Sequence, residues 1–262
     1  MAQKKPAALI IGISGCSSSG KTTIARLLRD IFPSGTFVLH QDDFYRPEHE
    51  LPYKNGLLDW DCAAAIDIPA MAESLTYIRQ HASFPPTLDS KEDKNSVGAC
   101  PVPDTTIAAL RSRVASALGP SHPLRTGSLR LCLLDGFLLY PPSVAAVHPY
   151  LDVRFFLRAS YQRAKARREA RQGYVTIEGF WTDPPGYVDK VVWPNYVAEH
   201  AWMFENGDVE GEYRWDVLER EGIKVQRGLD VDGDMEQTLE WIVDALLEEL
   251  ADRPMEHGQS LS

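Results

Sequence analysis

Basic residues are in short supply in this chain: 27 Lys and Arg stand against 37 Asp and Glu, a net charge of −10 over 262 residues. Broad nucleic-acid or anionic-membrane surfaces need cationic patches to displace counterions, so the balance argues against both and favours a small, even cationic, substrate. Cysteine is scarcer still. Cys16, Cys62, Cys100 and Cys132 show neither C-x-x-C spacing nor a compact framework, which excludes a disulfide scaffold and fits free thiols in a reducing cytoplasm. No apolar run approaches the length needed to span a bilayer. Met1 to Pro6 is basic, but no signal-peptide core long enough follows it, so these residues are expected to be a short disordered lead. No internal repeat is evident. With 44% hydrophobic and 24% charged residues, 1–262 reads as a single α/β domain with a full core.

The chain does have a phosphate-binding signature. Gly15 to Thr22 (GCSSSGKT) fits G-x-x-x-x-G-K-[ST]. Before it, Ala7 to Ile13 is apolar and rich in β-branched residues, as in a buried parallel strand; after it, Ile24, Leu27, Leu28 and Ile31 recur at helical spacing. A glycine-rich turn is the plain alternative, but the strand-to-helix context is the one a P-loop requires. Gly15 and Gly20 free the backbone so that N–H groups from Cys16, Ser17, Ser18 and Ser19 converge on an anion, helped by the positive helix N-terminus at Thr22 and Thr23. Lys21 reaches the β- and γ-phosphates of ATP in this scheme, and the Thr22 hydroxyl ligates Mg²⁺.

Thr36 to His40 (TFVLH) reads as a second strand that delivers Gln41, Asp42, Asp43, Phe44 and Tyr45 at its carboxyl end, where ligands gather in open α/β sheets. Residues 46–62 are loop, closing on Leu58-Asp59-Trp60-Asp61, and a helix is expected over 68–81. Residues 82–128, rich in Pro, Ser, Asp, Lys and Gly, read as a partly disordered insertion that decorates the domain, with one helix-like patch from Thr105 to Leu118. Leu129 to Leu134 is a strand ending in Asp135, an arrangement that places an acid beside metal held by Thr22. Val153 to Leu157 is another strand. Tyr161 to Gln172 is a helix unusually basic for an acidic chain, with Arg163, Lys165, Arg167, Arg168 and Arg171. A solvated face is the plain reading of a charge run; the sharper one is a lid over 160–185 whose Arg167 and Arg171, at i and i+4, clamp the moving phosphoryl group. Trp181 to Pro194 reads as loop before a helix over 195–205, then a strand near 224–226 and an amphipathic helix from Met235 to Leu250.

Taken together, GISGCSSSGKTT, QDDFY, LDWD, LLDGFLLY, the arginine-rich helix and DPPGYVDKVVWPNY resemble the nicotinamide riboside kinases, a branch of the P-loop nucleoside kinases that includes uridine kinases. The likeness covers about residues 7–75 and 129–205. It implies a P-loop kinase fold, a parallel sheet with helices on both faces and a small lid, working as a monomer on a nucleoside with ATP and Mg²⁺. Lys21, Arg167 and Asp42 become catalytic, Asp42 as general base toward the ribose 5′-hydroxyl and beside the metal with Thr22 and Asp135. Asp61 matches the carboxylate that holds the ribose hydroxyls; its plain alternative is an N-cap for the next helix. Tyr45 and Trp60 match aromatic positions facing the nicotinamide cation, and Asp43, Phe44, Arg168 and Tyr174 complete the expected substrate contacts. Asp43 has a turn role as its alternative. Asp135 stands where relatives often carry Glu. A uridine or cytidine kinase is the nearest rival. A nucleotide switch protein is the more distant one, and its guanine-reading N-K-x-D motif is missing, Lys94-Asn95 having the wrong order.

Overall fold

The computed structural model describes residues 6–90, 99–171, 173–175, 179–228 and 231–252, with only the backbone of 174, 175 and 252. In chain order the elements are β1 (Ala7–Gly15), α1 (Lys21–Ile31), β2 (Phe37–His40), β3 (Tyr53–Lys54), β4 (Leu57–Leu58), α2 (Ile68–His81), α3 (Asp104–Ala117), α4 (Pro123–Thr126) and β5 (Leu129–Gly136). They continue with β6 (Val153–Leu157), α5 (Tyr161–Glu169), β7 (Tyr174–Val175), β8 (Phe180–Trp181), α6 (Trp193–His200), α7 (Trp215–Glu221), β9 (Ile223–Lys224) and α8 (Met235–Asp252).

A strand covered on both faces must be apolar on both, which is why β1 is a nearly unbroken hydrophobic run. It lies at the centre of a five-stranded parallel sheet in the order β2-β5-β1-β6-β9. Alternate residues feed two cores. Ala8 and Ile10 pack toward Met71, Leu75 and Ile78 of α2, while Leu9, Ile11 and Ile13 pack toward α1, α3 and α8. A third, smaller cluster joins Leu58 and Trp60 to Tyr187, Val188, Val191 and Val192, outside the sheet.

Several boundaries depart from expectation. Asp67, not Asp61, caps α2, its side chain accepting the Ala70 N–H at 3.0 Å. Helix α5 stops at Glu169, three residues short of Gln172. The helix expected from Asn195 starts earlier, with a π turn at Val188–Val192 running into α6. Pro194 removes one backbone donor, and the widened turn ahead of it accommodates that loss, so the proline does not mark a loop. The last strand is Ile223–Lys224.

The expected insertion at 82–128 is described only in part. Residues 91–98 lie outside the described residues, as do the expected lead at 1–5 and the tail from 253. Within the remainder, the expected helix-like patch from Thr105 to Leu118 stands as α3, and Leu110 and Val114 of α3, Leu118 and Leu124 are all buried in the core that α1 and α8 share. Each fully buried Leu or Val there contributes roughly 1.5–3 kcal/mol of apolar transfer.

Candidate active site

The phosphate-binding turn is shaped by backbone constraints. Gly15 has φ 148° and a Cβ on it would lie 1.8 Å from the Leu157 carbonyl oxygen, so only glycine fits where the loop leaves the sheet. Ser18 (φ 64°) and Gly20 (φ 102°) both adopt left-handed conformations, the kind of alternation that turns successive N–H groups into an anion nest. Lys21 opens α1. It is buried, and its ammonium donates to the Cys16 carbonyl at 2.8 Å. Burial pulls its pKa down from the usual lysine value, with Asp135, Cys16 and Asp42 pulling it back up and Arg171 adding to the depression.

Strand register brings the first acid to this turn. Asp135 of β5 pairs with Ile13 of β1 on one side and His40 of β2 on the other. Its Oδ2 lies 3.2 Å from His40 Nδ1. Burial pushes its carboxyl upward, but the His40 hydrogen bond, the Lys21 charge and the Thr22 hydroxyl together hold it below the ordinary carboxylate value. Asp42 follows in the single turn Gln41–Phe44 after β2. That turn is fixed by Gln41, whose amide donates to the Leu138 carbonyl at 2.6 Å and accepts the Leu138 N–H at 2.9 Å.

Opposite these groups stands a second set held together by side chains. Asp61 and Arg168 form a buried two-point ion pair, at 2.7 and 3.0 Å. The same guanidinium reaches Asp183 at 2.6 and 3.2 Å and Ser17 Oγ at 2.9 Å. Burial raises the Asp61 carboxyl above its usual value, against the lowering pull of Arg168. Aromatic rings complete the wall: Trp60 lies edge-on to Tyr45 at 5.2 Å between centroids and tilted against Trp181 at 5.6 Å.

These groups meet at one cleft of about 910 Å³. Ser17, Ser18, Gly20, Lys21, Thr22, Thr23, Asp42, Tyr45, Trp60, Asp61, Asp135, Arg168 and Arg171 meet there as the sequence leads one to expect, joined by Gly136, Phe137 and Trp181. Others do not. Phe44 is buried in the core beneath the α2 face, and Asp43 is not on the cleft wall. The Cys16 thiol is buried and turned toward the Ala159 carbonyl at 3.9 Å, leaving its backbone to serve the loop. The side chain of Tyr174 lies outside the described residues. Arg167 and Arg171 do not act from one helix face, because α5 has ended before Arg171. Arg171 stands on the cleft, whereas Arg167 donates to the Ser18 carbonyl at 3.2 Å and lines a second cavity of about 560 Å³, with Ser19, Arg158, Gln226 and Met235.

Gln41, His40, Asp183 and Trp181 are the residues that sequence reasoning missed. Gln41 and Asp183 stood inside quoted motifs, but nothing in their spacing disclosed their partners. Among the described residues no group of three or more His, Cys, Asp or Glu is placed to hold a metal on its own. Thr22, Asp42 and Asp135 are oxygen donors on one cleft, which suits Mg²⁺: it takes few protein ligands and completes its shell with water and phosphate.

No protein-family model matches the chain. The nicotinamide riboside kinase of Schizosaccharomyces pombe is 40% identical over 204 residues, covering 78% of this chain and 84% of that protein. Those of Eremothecium gossypii and Saccharomyces cerevisiae are 38% and 33% identical, covering 77% and 78% of this chain and 80% and 82% of theirs.

Proposed function

This chain belongs to the nicotinamide riboside kinase family, and from that premise we propose that it transfers the γ-phosphoryl group of ATP to the ribose 5′-hydroxyl of nicotinamide riboside, giving nicotinamide mononucleotide and ADP. The observation that carries the reading is the shared cleft: Lys21, Thr22, Asp42, Asp61, Trp60 and Trp181 all line it.

The protein's work is positioning and charge neutralisation, since the transferred group needs little covalent help. Asp42 accepts the proton of the 5′-hydroxyl as that oxygen bonds to the γ-phosphorus and the bridging oxygen leaves with ADP. Lys21, the loop N–H groups and Arg171 take up the charge spread over the phosphate oxygens. Bound Mg²⁺ supplies further neutralisation there, with Thr22, Asp135 and Asp42 as its protein donors. Arg167 and its neighbouring cavity, on the other side of Ser18 and Ser19, suit the donor's base.

At the acceptor end, Asp61 offers carboxylate oxygens to ribose hydroxyls, and Arg168 orients it through the two-point ion pair. The nicotinamide ring of the substrate is a cation, attracted by the faces of Trp60, Trp181 and Tyr45. A neutral pyrimidine gains nothing from that attraction. One chain provides every one of these groups, consistent with a monomer.

The test is a panel of nicotinamide riboside, nicotinic acid riboside, uridine and cytidine assayed at fixed ATP and Mg²⁺. Nicotinamide riboside is expected to have the highest kcat/KM. Uridine preferred over it, or ATP hydrolysis that no nucleoside accelerates, would overturn the proposal.

A further inference from the structure

Asn195 does not line the cleft, yet it is almost completely buried, and both ends of its amide are engaged. Its nitrogen donates to both carboxylate oxygens of Asp59, at 2.9 Å each. Its oxygen accepts from the Lys54 ammonium on β3. Lysine can only donate and an ionised carboxylate can only accept, so these two neighbours fix which way round the amide sits. Asp59 in turn accepts the Asp61 backbone N–H at 3.0 Å, and the N–H of Trp60, between them, donates to the Tyr187 hydroxyl at 3.0 Å. The two cleft residues of the acceptor loop are therefore suspended from Asn195 and Tyr187, which lie on and just ahead of α6.

We infer that Asn195 is a positioning residue for the acceptor: through Asp59 it fixes Asp61 against Arg168 and Trp60 against the substrate ring. For its kinetic readout this rests on the acceptor assignment above. No side chain of the phosphate-binding turn takes part in the Lys54–Asn195–Asp59 chain; the turn is reached only one step further on, where Arg168, the partner of Asp61, donates to Ser17 Oγ, so disturbing the chain affects acceptor binding more than donor binding. An aspartate at 195 keeps the shape and the contact with Lys54, but sets a second carboxylate against Asp59. Exchanging the pair, with Asp59→Asn and Asn195→Asp together, restores a donor facing an acceptor. In that variant the carboxylate meets Lys54, and the new amide oxygen at 59 still receives the Asp61 N–H.

The experiment measures KM for nicotinamide riboside and for ATP, kcat, and backbone hydrogen exchange at residues 59–61, in wild type, Asn195→Asp and the exchanged pair. Asn195→Asp is expected to raise KM for the nucleoside by about tenfold, as for a lost hydrogen bond to a charge, with kcat and KM for ATP within about threefold. Exchange at 59–61 speeds up in the single variant, and both readouts return toward wild type in the exchanged pair. An unchanged nucleoside KM, an equal loss for ATP, or an exchanged pair no better than the single variant would overturn the inference. Should Asn195→Asp not fold, near-normal nucleoside KM in the exchanged pair supports the role and a raised one refutes it. A wild type that ignores nicotinamide riboside refutes the proposed function instead, and hydrogen exchange at 59–61 then decides the positioning role by itself.

Discussion

On one side the cleft is shaped by a single turn, Gly15 to Thr22, whose glycines and left-handed Ser18 lie within eight consecutive residues. Around Asp61 and Trp60 it is shaped by side chains drawn from segments more than a hundred residues apart, joined by Asp61, Arg168 and Asp183 and by Asp59 and Asn195. The first design is local and tolerant of change elsewhere in the chain. The second depends on every member, because a buried charge that loses its partner is left with its desolvation cost uncompensated. A kinase can thus keep a common grip on a polyphosphate while its acceptor end is remodelled through a few long-range pairs.

The sharpest way to break this division is to remove the group between the two ends. Asp42→Ala is expected to cut turnover by as much as about ten-thousandfold, the upper range for losing a general base, while ATP binding measured by calorimetry persists. Loss of ATP binding as well would mean that the two ends are not separable. Next comes the acceptor end alone: Arg168→Gln strands Asp61 and Asp183, and about 3 kcal/mol of stability should vanish in urea unfolding. Adding Asp61→Asn should recover part of it.

Acid sharpens the contrast from another side. His200, the last residue of α6, is buried and its pKa is lowered to about 4, chiefly by that burial. An unfolded histidine titrates near 6.5. Between those values the unfolded chain binds a proton that the folded chain does not, so the stability is complete above about pH 6.5 and drains away as the pH falls toward 4. From pH 7 to pH 5 the loss is expected to be about 2 kcal/mol, and smaller in His200→Phe, as followed by urea melts at each pH. Asp135, held below the usual carboxylate range at the donor end, stays charged throughout that window. The smallest effect is expected at the rings. Trp60→Ala should raise KM for the nucleoside by an amount matching roughly 0.5–2 kcal/mol of cation–π attraction, with KM for ATP unchanged. An unchanged nucleoside KM would remove the stacking role.

The same division governs what could be read in advance. The strand, the turn and the first helix were legible because their signals are local: apolar runs, glycine spacing and a helical repeat between residues 7 and 31. Asp42, Asp61, Trp60 and Asp135 could be named as residues of one cleft because they sit in short motifs at strand ends or match a family pattern. Arg168 was counted among the substrate contacts, but its triple engagement was not visible, since Ser17, Asp61 and Asp183 share no spacing with it. Pairing Arg167 with Arg171 assumed an unbroken helix, and the early end of α5 defeated it. Phe44 looked like a ligand contact by its place beside Asp42, and burial made it core. Within 82–128 the helix-like patch from Thr105 to Leu118 was legible, but not its seating, since the high content of Pro, Gly and Ser around it gave no sign that Leu110 and Val114, four apart, are buried against α1 and α8.

That seating has a practical outcome for anyone redesigning the protein. Because α3 is wedged against both α1 and α8, residues 104–117 brace from behind the helix that begins at Lys21. Grafting a reporter or excising the segment there would be felt at the nucleotide, some distance from the cut. A region that looks expendable on paper is therefore a poor place for a tag.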